Sequence, residues 1–166
     1  MASGKLCAAI IRDMPTADGP NASLGVLLGA TTIGEQIPTL DFDDTTIEYW
    51  DYLIDMESYD AGGLTVTLKY SAAASSGDVD FECAFRRIGD DIEDIDTTAH
   101  TYNFNTATTT VPSVIGEIGY HDVVFTDGVD IDSIADGELG ILRIRRNSAD
   151  TLVGDASLIS VLIRET

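Results

Sequence analysis

The chain has 166 residues, enough for one domain with a sizeable core, or for one domain and an arm. Apolar residues make up 44% of it, which excludes bulk disorder. The formal net charge is -20, from 29 acidic and 9 basic residues, so the surface repels phosphates, excludes nucleic acid as a partner and suits an exterior or saline setting.

Residues 1–37 differ from the rest of the chain. They are rich in Gly, Ala, Thr and Pro and hold two short apolar patches, Leu6–Ile11 and Leu24–Leu28. Neither patch has the length or period of a stable helix, so the segment either drapes over its own domain or docks on a neighbour, and it is assigned as an extended N-terminal arm for docking or subunit contact. Leu6–Ile11 follows one lysine and is cut off by Arg12 and Asp13, too short an apolar run for a signal peptide. No apolar stretch approaches the roughly 20 residues of a membrane span, and no membrane partner is expected.

Residues 38–166 read as a β-sandwich domain. From Thr39, Leu40 and Phe42 alternate with Asp41 and Asp43. Ile47–Ile54 is aromatic and β-branched, with Tyr49, Trp50 and Tyr52. After the turn at Asp60-Ala61-Gly62-Gly63, Leu64, Val66, Leu68 and Tyr70 alternate with Thr65, Thr67 and Lys69. Val79, Phe81, Cys83 and Phe85 then alternate with Asp80, Glu82, Ala84 and Arg86. These two strands around Ser75-Ser76-Gly77-Asp78 read as a hairpin. An acidic loop spans Gly89–Asp96. Threonine-rich His100–Val111, with Tyr102 and Phe104 on one face, reads as an edge strand. Ile118–Thr126 is a further strand. Ile131, Ile134 and the Ala135-Asp136-Gly137 turn cap the sandwich. The last strands are Leu139–Arg146, with Leu142 and Ile144 opposed to Arg143 and Arg145, and Leu158–Glu165, with Ile159, Val161 and Ile163 on one face. About eight strands with close turns and no amphipathic helix predict an all-β, antiparallel β-sandwich of jelly-roll type. Its core is expected to contain Val79, Phe81, Cys83, Phe85, Leu142, Ile144, Val161 and Ile163.

Catalytic chemistry has little to work with. His100 and His121 stand far apart in sequence, which disfavours a His-based triad or a multi-histidine zinc site. No G-x-S-x-G, P-loop or G-x-G-x-x-G motif occurs in a suitable context, and carboxylates are too abundant for any pair to be informative. No enzyme, no catalytic residue, no metal site and no cofactor are expected. Two acidic clusters are weighed for weak calcium binding: Asp41, Asp43 and Asp44, and the loop residues Asp90, Asp91, Glu93, Asp94 and Asp96. Neither has EF-hand spacing, and a solvated loop is the plainer reading. Cys83 is expected to be a buried thiol; a disulfide to Cys7 has no support in the sequence.

Five of the nine basic residues are Arg86, Arg87, Arg143, Arg145 and Arg146. They either pair internally with nearby carboxylates or form a subunit contact. Together with the apolar patches, this nominates Leu6, Ile10, Ile11, Leu24, Leu27, Arg86, Arg143 and Arg145 as subunit or capsid contacts.

Several segments between Asp60 and Thr166 resemble virion structural proteins of tailed bacteriophages. They are Tyr59–Val66, Ser71–Val79, Phe81–Ile88, Phe125–Gly128, Asp132–Glu138, and Gly154–Leu158 with Ile163–Glu165. The resemblance covers about two thirds of the chain and rests mostly on turn and strand patterns. It implies a capsid decoration (cement) protein on the outer surface of the phage head, stabilising it by binding the major capsid protein. A homotrimer is then expected, because quasi-threefold positions on an icosahedral shell suit one. The alternative is a tail-fibre or receptor-binding module that binds a host surface glycan through an exposed aromatic platform, for which Tyr49, Trp50 and Tyr52 are candidates. A cellular carbohydrate-binding module is the third reading.

Overall fold

The structure is a computed structural model, and it describes residues 4–15, 19–29, 34–91 and 94–166. In chain order the strands are β1 (Ala8–Met14), β2 (Ser23–Leu28), β3 (Gln36–Phe42), β4 (Tyr49–Met56), β5 (Leu64–Ala72) and β6 (Asp78–Val79). They continue as β7 (Phe81–Ile88), β8 (Asn105–Thr106), β9 (Thr109–Thr110), β10 (Gly119–Phe125), β11 (Leu139–Arg146) and β12 (Ala156–Glu165). One five-stranded sheet has the order β1-β4-β11-β7-β8, and the other β10-β5-β12-β3-β2. β6 and β9 form a small ribbon. Every ladder between these strands is antiparallel. The protein is an all-β antiparallel sandwich.

The two sheets face each other because each alternates in period two, with an apolar inner face. In the first sheet, Leu142 pairs with Phe85 and with Tyr52, and Ile144 pairs with Cys83 and with Trp50. In the second, Val161 pairs with Leu68 and Ile163 with Val66. All eight residues expected in the core are buried. Phe81 sits at its centre, edge-on to Phe42, Tyr70 and His121. A one-turn 3-10 helix, Val129–Ile131, buries Ile131 and, with Ile134, closes one end.

Several expectations change. The strands on either side of Ser75–Asp78 are not a hairpin: β5 and β7 lie in opposite sheets. Each turns its apolar face to the core, and Tyr70 of β5 meets Phe81 of β7 across it, edge-on at 5.6 Å between ring centres. His100–Val111 is no continuous strand; it yields only β8 and β9. In β12 a bulge between Leu158 and Ser160 shifts the alternation by one residue. Leu158 is therefore buried with Val161 and Ile163, and Ile159 is not.

The described part of the 1–37 segment packs on its own domain. β1 is an edge strand on β4, β2 is an edge strand on β3, and Cys7 is fully buried. Patches too short to fold alone are ordered here by backbone hydrogen bonds to strands already in place. Cys7 and Cys83 are both free, buried thiols, and burial pushes Cys7 up to about 11.

Candidate functional site

The outer face of the first sheet carries a polar and aromatic surface. Across β4, β11 and β7 the register sets Asp51, Arg143 and Ala84 in one row, and Tyr49, Arg145 and Glu82 in the next. Arg143 makes a bidentate pair with Asp51, Nε to Oδ1 at 2.8 Å and Nη2 to Oδ2 at 2.9 Å, with both side chains nearly buried. Arg145 donates from Nε to Glu82. Internal pairing is thus the outcome for these two nominated contact residues. Strand neighbours of opposite charge on one face sit within reach of each other, which is the physical reason.

The connection from β7 to β8 is laid over this face. The Tyr102 ring centre is 4.0 Å from the Arg143 guanidinium carbon, and the Phe104 ring centre is 3.8 Å from that of Arg145. Tyr49 approaches both arginines from the sheet, at 5.7 and 6.0 Å. Guanidinium planes stacked on rings in this way hold the segment without a regular strand. Arg86 donates from Nη2 to the Thr98 carbonyl at 3.2 Å, and Asn105 donates from Nδ2 to the Val124 carbonyl at 2.9 Å, so both ends of the segment are tied down. His100 stands edge-on to Tyr102 with 4.8 Å between ring centres, and its Nε2 is 3.9 Å from an Asp132 carboxylate oxygen.

Between this segment and the sheet lies a cleft of about 470 Å³. Its walls include Met14, Asp51, Arg86, His100, Tyr102, Ile141 and Arg143. The combination is an aromatic ring, two imidazole nitrogens, guanidinium donors and a carboxylate acceptor around a modest apolar floor. Such a cleft offers hydrogen-bond partners to a hydroxyl-rich ligand and a ring to lie against its C–H face.

The other nominated residues fall elsewhere. Leu6, Ile10, Ile11 and Leu24 are exposed, and Leu27 is half-buried, along the side where β1 and β2 form the sheet edges. Arg146, grouped with Arg143 and Arg145 in sequence, points the opposite way. It continues the inner face of β11, fully buried, and binds Asp150 through two hydrogen bonds of 2.8 Å. Of the aromatic triplet in β4, Trp50 is buried and Tyr52 packs against the core; Tyr49 alone faces outward. The aromatics that build the cleft wall, His100 and Tyr102, are those of the threonine-rich stretch. Their period-two spacing is visible in the sequence, but nothing there says which face they cover.

The acidic clusters serve as loop ties. Asp43 accepts the Thr45 hydroxyl at 2.6 Å and the Thr45 and Thr46 amides at 2.7 and 2.8 Å, which together lower its titration range, and Asp44 accepts the Gly154 amide at 2.6 Å. Burial, with Asp41 and Asp43 nearby, raises Asp155. In the second cluster Asp94 accepts the Asp96 amide at 3.0 Å; Glu93 lies outside the described residues. Among the described residues no group of three or more His, Cys, Asp or Glu is placed to hold a metal ion, and no helix is long and apolar enough to cross a membrane.

No family model matches the sequence, and no curated protein matches it. Solved structures do match the fold. The CBM22-1 xylan-binding domain from Paenibacillus barcinonensis Xyn10C is similar at 10% identity, with 99% of this chain and 96% of that one covered and a TM-score of 0.51. The family 11 carbohydrate-binding module of Clostridium thermocellum, in complex with a β-1,3-1,4-mixed-linked tetrasaccharide, aligns at 10% identity over 96% of this chain and 95% of that one, with a TM-score of 0.44. TmCBM61 in complex with β-1,4-galactotriose aligns at 12% identity over 93% and 88%, with a TM-score of 0.41.

The Paenibacillus match, which covers nearly the whole of both chains, is a xylan-binding domain and not a phage capsid protein, and it overturns the resemblance to capsid decoration proteins. The function as a cement protein and the place on the outer surface of the phage head fall with it. The structure also supplies the physical reason the resemblance misleads. Four of its pieces, around Tyr59–Gly63, Phe125–Gly128, Asp132–Glu138 and Glu165, meet at one end of the sandwich and tie one another down. Tyr59 donates its hydroxyl to Asp127 at 2.7 Å and its amide to Asp136 at 2.9 Å. Glu165 accepts the amides of Asp60 and Gly62 at 2.9 and 3.0 Å. Residues that build such an end cap carry fold, not function. The preference for three subunits over two rests on the same resemblance and loses that support.

Proposed function

We propose that this chain is a non-catalytic carbohydrate-binding module, and that its glycan lies in the cleft between the β4–β11–β7 face and the 98–104 segment. The observation that carries the reading is the cleft wall itself: Tyr102 and His100 set against Arg86, Arg143 and Asp51 in a space of about 470 Å³. The fold supports it, since the matched Paenibacillus domain is a xylan-binding domain. A neutral polysaccharide fits best. Arg143 and Arg145 are paired with carboxylates, and a chain of net charge -20 repels polyanionic glycans.

Affinity electrophoresis in gels containing xylan, mixed-linked β-glucan, galactan or a polyuronate tests the reading. Retardation by at least one neutral polymer is expected, lost in Tyr102→Ala and unaffected by Tyr120→Ala on the opposite sheet. Migration unchanged by every neutral polymer, or retention equal in Tyr102→Ala, would overturn it.

A further inference from the structure

The second sheet ends on β2, and this edge differs from the others. Residue pairs Leu24–Leu40, Val26–Pro38 and Leu28–Gln36 share one face of the sheet, and Leu40 is buried. Leu24, Val26 and Leu28 therefore project from the core-side face, yet they are 81%, 53% and 72% exposed. The second sheet overhangs the first here, and its apolar inner stripe runs on past the last strand that covers it.

Other long edges are protected. β1 is broken by a bulge between Ile10 and Arg12 and carries Arg12 and Asp13. β10 carries Asp122, and Asn105 of the neighbouring sheet donates to its Val124 carbonyl. β8 is two residues long. β2 has no bulge in its pairing with β3, and residues 19–29 hold no charged side chain, in a chain that is 23% charged. An uncharged, regular edge with an apolar stripe is a template for another strand. Two highly acidic molecules also meet there with the least repulsion.

We infer that β2 pairs antiparallel with β2 of a second copy of this chain, about a two-fold axis through Val26. That register sets Val26 against its own copy and Leu24 against Leu28 of the other subunit. Opposite residues then share a face, so the six overhanging side chains form one apolar cluster under a continuous ten-stranded sheet. The contact is isologous, each copy covering the stripe the other leaves open. It hides less than the roughly 800 Å² per partner of a standard interface, so the dimer is weak and concentration-dependent. The cleft on the first sheet stays open in both copies, and pairing offers a polymer two sites at once.

Sedimentation equilibrium of the full chain, up to its solubility limit, tests the inference. A monomer–dimer equilibrium is expected, and Val26→Lys should weaken it by at least about a hundredfold, because the axis sets each new ammonium against its twin. Near-UV circular dichroism verifies that the variant is folded. Val26→Cys should oxidise to a covalent dimer, whereas Val124→Cys, 55% exposed on the opposite edge, should not; the native thiols are buried. A wild type that stays monomeric, a trimer, a Val26→Lys dimer of undiminished strength, or equal cross-linking of the two cysteine variants would each overturn the inference.

Discussion

Arg146 offers the most demanding test of how the sandwich is packed. It occupies an inward position of β11, where alternation would place an apolar side chain, and it is fully buried with Asp150. Its guanidinium donates twice to Asp150 and also to the carbonyls of Phe42 at 3.1 Å, Gly154 at 2.7 Å and Leu152 at 2.6 Å. These bonds join β3, β11 and the loop leading into β12. Truncation by Arg146→Ala removes all of them and leaves the Asp150 carboxylate buried beside no cation. Breaking a buried pair from one side costs about 3–5 kcal/mol. For a chain of this size each kcal/mol moves the melting temperature by about 2–4 °C, so a fall of roughly 10 °C is expected. Arg146→Lys should recover little, because an ammonium cannot span the carboxylate and three carbonyls together. The double variant Arg146→Met, Asp150→Leu should be more stable than Arg146→Ala alone, since no unpaired charge remains. Urea unfolding followed by Trp50 fluorescence measures all three. A loss within about 1 kcal/mol for Arg146→Ala would refute the claim that this network holds the sheet end together.

Phe81→Ala, at the centre of the core, should cost about 3–5 kcal/mol by the same assay, and a smaller loss would mean that Phe42, Tyr70 and His121 close over the space. His121 gives a pH dependence. Burial lowers its titration range, its Nε2 sits 3.2 Å from the Phe81 carbonyl, and its Nδ1 has no hydrogen-bond partner among the described residues. Lowered in the fold, the group binds fewer protons there than in the unfolded chain. Its contribution is full above the unfolded value near 6.5 and is lost as pH falls from there toward the folded value. His121→Phe should flatten that part of the curve, and a slope identical to wild type would exclude His121 as its source. Arg143→Gln should loosen the 98–104 segment, seen as faster amide exchange at Tyr102 and weaker glycan retention, with the melting temperature falling because Asp51 is left buried and unpaired. Unchanged exchange at Tyr102 would show that the ring does not depend on the guanidinium beneath it.

Much of the sandwich is legible in the sequence because a half-buried strand writes its own period. Val79 to Phe85, Leu142 with Ile144, and Val161 with Ile163 alternate cleanly, and all the inward members are buried as that alternation requires. Period two says which side chains share a face; it does not say which strand lies alongside, nor what covers the other face. Hence β5 and β7 read as a hairpin in the sequence and lie in opposite sheets in the structure. The three nearby arginines are grouped together in the sequence, whereas the register turns Arg146 inward and Arg143 and Arg145 outward. A single inserted residue, as in the β12 bulge, changes the phase of the alternation, so Ile159 falls outside the buried face that Val161 and Ile163 share. The cleft is the furthest from the sequence. Tyr102 and Arg143 stand far apart in the chain and meet because an irregular segment crosses a sheet face, and such long-range packing leaves no local pattern in the chain. Composition and alternation determined a polar-faced, all-β, two-sheet core. Strand order, the inward arginine, the overhanging β2 edge and the aromatic wall were decided by tertiary packing, where burial and hydrogen bonding select among faces that the sequence leaves equivalent.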